Sequence, residues 1–103
     1  MKNEFDIKEI TMHGRVRAYC TMGNGYFSAD VTMNVKNPTN IPDYIDVDDK
    51  IASYDGKKLI LEELASGIAS DIADMTGGLV TVTLRCDDAL HSPVEIIAQK
   101  VGA

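Results

Sequence analysis

Residue types that carry acid–base or nucleophilic chemistry are scarce in this chain. The sequence holds two cysteines, Cys20 and Cys86, and two histidines, His13 and His91, at none of the usual metal-ligand spacings. Histidine titrates near neutral pH and an ionised thiol is a nucleophile, so each is a candidate catalyst. A lone surface histidine or a buried structural cysteine is the commoner case. No metal site and no cofactor are expected.

Glu62 is the acidic residue with the strongest case for binding a ligand. It lies near the start of an amphipathic segment, and Ala65 and Ala69 are its small apolar neighbours at helical spacing. A charge beside small apolar residues is typical of a pocket floor. The alternative is a solvated glutamate that favours the first turn of a helix through the helix dipole. Both interpretations stay open at the level of sequence.

Strict alternation of apolar and polar residues predicts a first pair of strands. Every second residue is apolar over 14–22 and again over 26–35, and Gly23-Asn24-Gly25 between them is a strong turn signal. A less regular alternation over 5–12 is followed by an expected bend at His13-Gly14. The pair is predicted to form a hairpin with one apolar and one polar face.

Helical periodicity predicts two helices in the middle of the chain. The first is expected over 43–53, after a loop in which Thr39 or Asn40 can act as a cap. The second is expected over 57–75 and ends at Gly77-Gly78. Its apolar stripe consists of Leu61, Leu64, Ala65, Ile68, Ile72 and Met75.

Two further strands are predicted over 79–86 and 94–101. The order ββααββ predicts an α+β fold, with a four-stranded antiparallel sheet and two helices on its apolar face, in one domain over 1–103. The opposite face is either solvated or lines the inside of a barrel of several subunits, since cyclic association removes sheet edges. The residues expected on that face are Arg15, Arg17, Tyr19, Ser28, Asp30, Thr32, Thr81, Thr83 and Arg85.

Charge and composition exclude several classes of partner. The net charge of −6 disfavours nucleic acid and anionic membrane surfaces. No signal peptide or membrane-spanning run is found, so a cytoplasmic protein with both thiols free is expected. A chain of 103 residues has little room for a deep enclosed pocket, so a ligand site is expected to be shallow or shared between subunits.

Five segments of the chain carry a resemblance to a known family through their order and spacing. They are IKEITMHG (7–14), YFSADVTMNV (26–35), DYIDVDDKI (43–51), LILEELASGIASDIAD (59–74) and VTVTLR (80–85). Together they resemble the dihydroneopterin aldolase family, one of the tunnelling-fold (T-fold) families. This resemblance implies a homo-oligomer, a tetramer or octamer, that closes into a barrel. It also implies a pterin or purine-like ligand bound between subunits by an enzyme of pterin or folate-type metabolism.

The resemblance implies roles for three residues. The pterin-anchoring glutamate of the family falls on Glu62, the tyrosine of its first helix falls on Tyr44, and backbone groups near Leu61 help to hold the base. A carboxylate suits this role because a guanine-like edge offers two parallel N–H donors to its two oxygens.

Other family features are missing, so the reaction stays open. The Tyr-His-Gly motif corresponds to Arg15-Val16-Arg17, and the catalytic lysine falls near Cys86-Asp87. An aldolase or lyase-like enzyme on a pterin-type substrate is the first interpretation, with its catalytic residues unidentified. A non-catalytic T-fold oligomer that acts as a binding or scaffold module is the second. A third is a 7-cyano-7-deazaguanine-reductase-like enzyme, because the stretch around Cys20 loosely resembles the segment that carries that family's nucleophilic cysteine.

Overall fold

The computed structural model describes residues 8–19, 26–86 and 94–102. Two antiparallel hairpins flank a pair of helices, and the four strands form one sheet in the order β1-β2-β3-β4. The predicted α+β architecture is confirmed. The elements are β1 Glu9–Tyr19, β2 Tyr26–Lys36, α1 Tyr44–Ala52, α2 Leu61–Thr76, β3 Leu79–Cys86 and β4 Val94–Val101.

The core lies between the sheet and α2. Alternate strand residues point at this helix. Its predicted stripe is buried except for Met75, which is only partly buried, and Ile68 and Ile72 are fully enclosed in the same core as Met33 and Leu84. Burial of a side chain of this size stabilises the fold by about 1.5–3 kcal/mol. The helix therefore has a fixed position on β3 and β4, which fixes the direction in which its first turn points.

Strand β1 is continuous, so the predicted bend at His13-Gly14 is wrong. His13 pairs with Thr32 and Gly14 pairs with Val31 without a break in register. Gly14 lies beneath α1, where an added Cβ would stand 3.7 Å from a side-chain carbon of Ile51. That distance is an ordinary van der Waals contact, so the strand continues through a glycine that was predicted to bend the chain.

Helix α2 begins at Leu61, four residues later than predicted. The preceding residue, Ile60, is extended, with φ −68° and ψ 156°. The Asp55 carboxylate accepts a hydrogen bond from the backbone N–H of Arg17 in β1, and the Gly56 N–H donates to the Arg17 carbonyl. The Tyr54 hydroxyl donates to Asp71 further along α2. With the turn held at these two places, the chain needs an extended segment to reach the start of α2.

The loop before α1 caps the other helix. Asp43 is the N-cap of α1, where its carboxylate accepts a hydrogen bond from the Ile45 N–H at 2.9 Å. Thr39 and Asn40, the predicted caps, instead donate from their side chains to the carbonyls of Thr76 and Met75 at the end of α2. They satisfy carbonyls that the helix leaves open, so the start of α1 is tied to the end of α2.

Cys86 corrects the prediction of two free thiols. It is buried at the end of β3 and disulfide-bonded. Free thiols were expected as a consequence of a reducing compartment, and the cytoplasmic location stays a prediction. Cys20 lies outside the described residues. None of the helices in the described part of the chain has the length and apolar character needed to span a membrane.

Candidate functional site

Glu62 lies in the first turn of α2, exposed to solvent, directly after the buried Leu61. Within the described residues no hydrogen bond or ion pair engages its carboxylate. The main-chain N–H groups of a first helical turn have no partners inside the helix. A free carboxylate beside free N–H groups can both accept and donate hydrogen bonds to one planar ligand.

The pocket floor expected beside Glu62 is not open. Ala65 and Ala69 are both fully buried in the core beneath α2. They are small because the helix packs closely on the sheet, and no ligand can reach them in a single copy. The surface around Glu62 is therefore open, and it can contact a ligand from one side only. A closed binding site there needs a second surface on the other side of the ligand.

Tyr44 is exposed at the start of α1, with 72% of its surface open to solvent. Ile41 and Ile45 beside it are also about half exposed, which makes a small apolar patch. An exposed aromatic ring with apolar neighbours is typical of a surface that contacts a partner or a flat ligand.

The two candidate binding residues do not come together within one chain. Asn40, just before Tyr44, bonds to Met75 near the end of α2. Along α2, Met75 and Glu62 are separated by about 20 Å at 1.5 Å per residue. Helix α1 runs from that end toward Tyr54, which contacts Gly67, so Tyr44 lies at the far end of α2 from Glu62.

Tyr54 holds the connection between the helices against α2. Its hydroxyl donates to Asp71 at 2.5 Å, and its ring lies over Gly67, where an added Cβ would stand 2.9 Å from the hydroxyl oxygen. Burial, together with the hydrogen bond to Asp71 and its negative charge, raises the pKa of Tyr54 to about 12. The phenol is thus a fixed donor at neutral pH and has no role as a base.

The polar face of the sheet carries charges of alternating sign in one row. The pairings Arg15 with Asp30, Asp30 with Arg85, and Arg85 with Glu95 run in register across all four strands. The Arg15 Nε donates to Asp30 at 3.2 Å, whereas Arg85 and Glu95 are 3.9 Å apart, too far for a hydrogen bond. We call this row the charge ladder. Alternation in the sequence placed Arg15, Asp30 and Arg85 on this face but not Glu95, whose place depends on the register of β4 against β3.

A shallow depression of about 650 Å³ lies over the charge ladder and the row beside it. That second row contributes His13, Thr32 and Thr83, and the imidazole Nδ1 of His13 is 3.5 Å from the Thr32 hydroxyl. On the described strands this face has four basic and three acidic side chains, although the whole chain carries −6. The acidic excess therefore lies elsewhere, mostly on the helical side.

The positions of the missing family motifs hold structural residues. The Tyr-His-Gly position lies in the middle of β1, where Arg15 is ion-paired and the Arg17 backbone is bonded to the turn after α1. The catalytic-lysine position falls near Cys86-Asp87: Cys86 is buried and disulfide-bonded, and Asp87 lies outside the described residues. Cys20 and His91 lie outside the described residues, so the interpretations based on them stay predictions.

Comparisons with known proteins identify the fold. No protein-family model matches the chain, and no curated protein matches it in sequence. The chain is similar in structure to a crystal structure of the archaeosine synthase QueF-Like in its apo form, with a TM-score of 0.81 and 18% identity over 94% of this chain and 97% of that chain. The shared ββααββ architecture shows that this protein has the tunnelling fold.

Proposed function

We propose that this tunnelling-fold protein binds a pterin or purine-like base between two copies of the chain, with Glu62 as the anchor. The observation that carries the proposal is the free, exposed carboxylate of Glu62 in the first turn of α2, next to the buried Leu61. In addition, the protein shares its fold with an archaeosine synthase. A carboxylate that accepts two parallel N–H groups favours a guanine-like edge over other flat ligands.

A second copy of the chain supplies the other wall of the site. Tyr44 and Glu62 lie at opposite ends of α2 in one chain, so a site that uses both takes them from different copies. Tyr44 then packs on the face of the base or hydrogen-bonds beside it, and its exposed apolar neighbours Ile41 and Ile45 become covered. The homo-oligomer is part of this proposal.

The reaction, if there is one, differs from that of the aldolase family. The family's lysine falls near Cys86-Asp87 in this chain, where the sequence has no lysine, and Cys86 is buried and disulfide-bonded and has no proton to transfer. A lyase-like enzyme would have to use another acid or base. The same observation favours the second candidate function, a tunnelling-fold oligomer that binds a base without transforming it. The reductase-like interpretation rests on Cys20 alone.

Isothermal titration with neopterin, guanine and 7-deazaguanine tests the proposal. We expect one of these bases to bind, and Glu62→Gln to weaken binding by about tenfold or more, because hydrogen bonds to a charged acceptor are worth about 1.5–3 kcal/mol. Glu63→Gln is the matched control, since Glu63 is an exposed glutamate in the same helical turn. It should leave the affinity unchanged.

Two results would contradict the proposal. Equal losses in the Glu62 and Glu63 variants would mean that only the general charge of the helix start matters. An assembled wild-type protein that binds none of the bases would exclude this ligand class. If a base binds, analysis of the mixture for new products after incubation separates an enzyme from a binding module.

A further inference from the structure

The depression over the charge ladder is not used by the proposed base site. Successive residues of a strand point to opposite faces of a sheet, so the sheet itself separates this polar face from α2 and Glu62. The depression has a volume of about 650 Å³, within the range of roughly 300–1,000 Å³ that small-molecule pockets occupy. It is therefore large enough for a small organic ligand.

Two threonine hydroxyls lie at the centre of the depression. Thr32 of β2 and Thr83 of β3 are direct cross-strand partners, and both are partly buried. Within the described residues the Thr83 hydroxyl makes no hydrogen bond, and the Thr32 hydroxyl is 3.5 Å from His13 Nδ1, longer than an ordinary hydrogen bond. Two adjacent hydroxyl groups can thus donate to a ligand.

Arg85 is the cation of the charge ladder that its neighbours hold least. The Arg15 Nε donates to Asp30 at 3.2 Å, whereas Arg85 stands 3.9 Å from Glu95 and makes no hydrogen bond to a described residue. Arg85 follows Thr83 by two positions, so its guanidinium and the Thr83 hydroxyl share one face of β3. The guanidinium N–H groups can therefore reach a ligand that the threonines hold.

These donors suit a phosphate group better than a carboxylate. A phosphate monoester presents three strong acceptor oxygens and a charge of about −1.5 to −2 near neutral pH, whereas a carboxylate has two oxygens in one plane. Donors that lie on three neighbouring strands can approach a tetrahedral group from several sides. The donors are His13, Thr32, Thr83 and Arg85.

The local charge does not oppose an anion. In the depression Arg15 and Arg85 balance Asp30 and Glu95, whereas the whole chain carries −6. An anion therefore meets less repulsion here than on the helical side, where most of the acidic excess lies.

The two carboxylates of the depression match a ligand that also carries hydroxyl groups. Asp30 and Glu95 flank Arg85 in the charge ladder, and more than half of each side chain is exposed. An ionised carboxylate only accepts hydrogen bonds. Hydroxyl groups close to the phosphate would donate to these two residues, which a bare phosphate ion cannot use.

We propose that this depression binds a phosphorylated polyol such as a sugar phosphate. The phosphate lies against Thr32, Thr83 and Arg85, and the ligand's hydroxyl groups donate to Asp30 and Glu95. The site lies within one chain and uses neither Glu62 nor Tyr44, so it goes beyond the proposed function.

Isothermal titration of the full chain at low salt tests the ligand class with four probes. Ribose-5-phosphate should bind most tightly, and inorganic phosphate more weakly because it lacks the hydroxyl groups. Ribose should bind weakest, because it lacks the charge. Ribonate, which carries a carboxylate on a similar polyol, should bind more weakly than ribose-5-phosphate.

Charge removal tests the position of the phosphate. Arg85→Gln should weaken ribose-5-phosphate about tenfold or more, because hydrogen bonds from a charged donor are among the stronger ones. Lys36→Gln is the matched control, since Lys36 is an exposed cation on the same face, four residues beyond Thr32 in β2. It should leave the affinity nearly unchanged. Circular dichroism confirms that each variant is folded.

A pair of threonine variants tests the hydroxyl contacts. Thr83→Val keeps the shape of the side chain and should weaken ribose-5-phosphate by about two- to tenfold, the worth of one ordinary hydrogen bond. Thr81→Val is the control, because the Thr81 hydroxyl lies in another row and accepts from Gln99 at 3.0 Å. It should bind like the wild type.

Glu95→Gln tests the polyol contact. It removes both a charged acceptor for the ligand's hydroxyl groups and a negative charge near the phosphate. The difference in affinity between ribose-5-phosphate and inorganic phosphate should therefore narrow. An unchanged difference would contradict the role given to Glu95.

Three results would overturn the proposal as a whole. They are no binding of ribose-5-phosphate, equal losses in Arg85→Gln and Lys36→Gln, or ribonate binding as tight as that of ribose-5-phosphate. Glu62→Gln keeps this proposal apart from the base site: it should bind ribose-5-phosphate like the wild type, and a loss there would mean that the phosphate is held near α2 and not on the sheet.

Discussion

The two faces of the sheet are built from alternate residues of the same strands, yet they are held in different ways. The face beneath the helices carries fully buried apolar side chains such as Met33, Val82 and Leu84. The opposite face carries the charge ladder, whose charged side chains are at least half exposed. The apolar face depends on the volume and close packing of its side chains. The polar face depends on the order of positive and negative charges along the charge ladder.

The difference shows where stability and specificity reside. A buried apolar side chain contributes several times more to the fold than an exposed ion pair, whose worth is about 0–1 kcal/mol. The polar face can therefore vary without unfolding the chain. Such a face is suited to selecting a partner, since misplaced charges are penalised at an interface even where they cost a monomer little.

The largest expected effect on stability is on the face of the sheet beneath the helices. Ile68→Ala removes a fully buried side chain of α2 and should lower the free energy of unfolding by about 2–5 kcal/mol, through lost burial and a residual cavity. Chemical denaturation followed by circular dichroism measures it. Ile45→Ala is the matched control, because Ile45 is 54% exposed on α1. A similar loss in both variants would contradict the assignment of the core.

An intermediate effect is expected at Tyr54, which holds the connection between the helices against α2. Tyr54→Phe removes the hydrogen bond to Asp71 and should cost about 1 kcal/mol near neutral pH. The folded pKa of about 12 lies above the ordinary value of 10.0. The extra stability from Tyr54 is therefore complete below pH 10.0 and is lost as the pH rises toward 12.

Denaturation profiles from pH 8 upward, within roughly the range where phenols titrate, measure this dependence. The wild type should lose its advantage over Tyr54→Phe across that interval. A constant difference between the two proteins through the titration would show that Asp71 does not favour the neutral phenol.

The smallest expected effect is on the polar face. Arg85→Gln removes a ladder member whose distance to Glu95 is 3.9 Å, and it should change the stability of one chain by no more than about 1 kcal/mol. Adding salt to the wild type should reduce even this difference, because exposed pairs are screened. Thermal denaturation at two salt concentrations tests it. A loss as large as that of Ile68→Ala would erase the contrast between the faces.

Alternation and helical periodicity were enough to predict the element order, the apolar stripe of α2 and the polar face. The errors arose where a contact distant in sequence decides local structure. A bend was predicted at Gly14 because its continuous pairing with Val31 depends on strand β2, which the residues around Gly14 do not reveal. The start of α2 was placed too early because the turn near Tyr54 is held by Arg17 and Asp71.

The candidate site was only partly predictable for a related reason. Glu62 was placed at the start of a helix, where the structure has it, but its distance from Tyr44 depends on how Asn40 joins the two helices. Glu95 was missed because its importance lies in the register of β4 against β3, which connects it to Arg85. Which residues form a row across the sheet depends on the register between strands, and the sequence of each strand alone does not show that register.

The turn formed by Asp55 and Gly56 also shortens an exposed edge of the sheet. Long flat strand edges invite strand-by-strand growth into fibrils. By occupying the backbone of Arg17, the turn shortens one edge and prevents a foreign strand from sliding along it. The bonds that fasten the two helices to the sheet thus also act as a safeguard against cross-β aggregation.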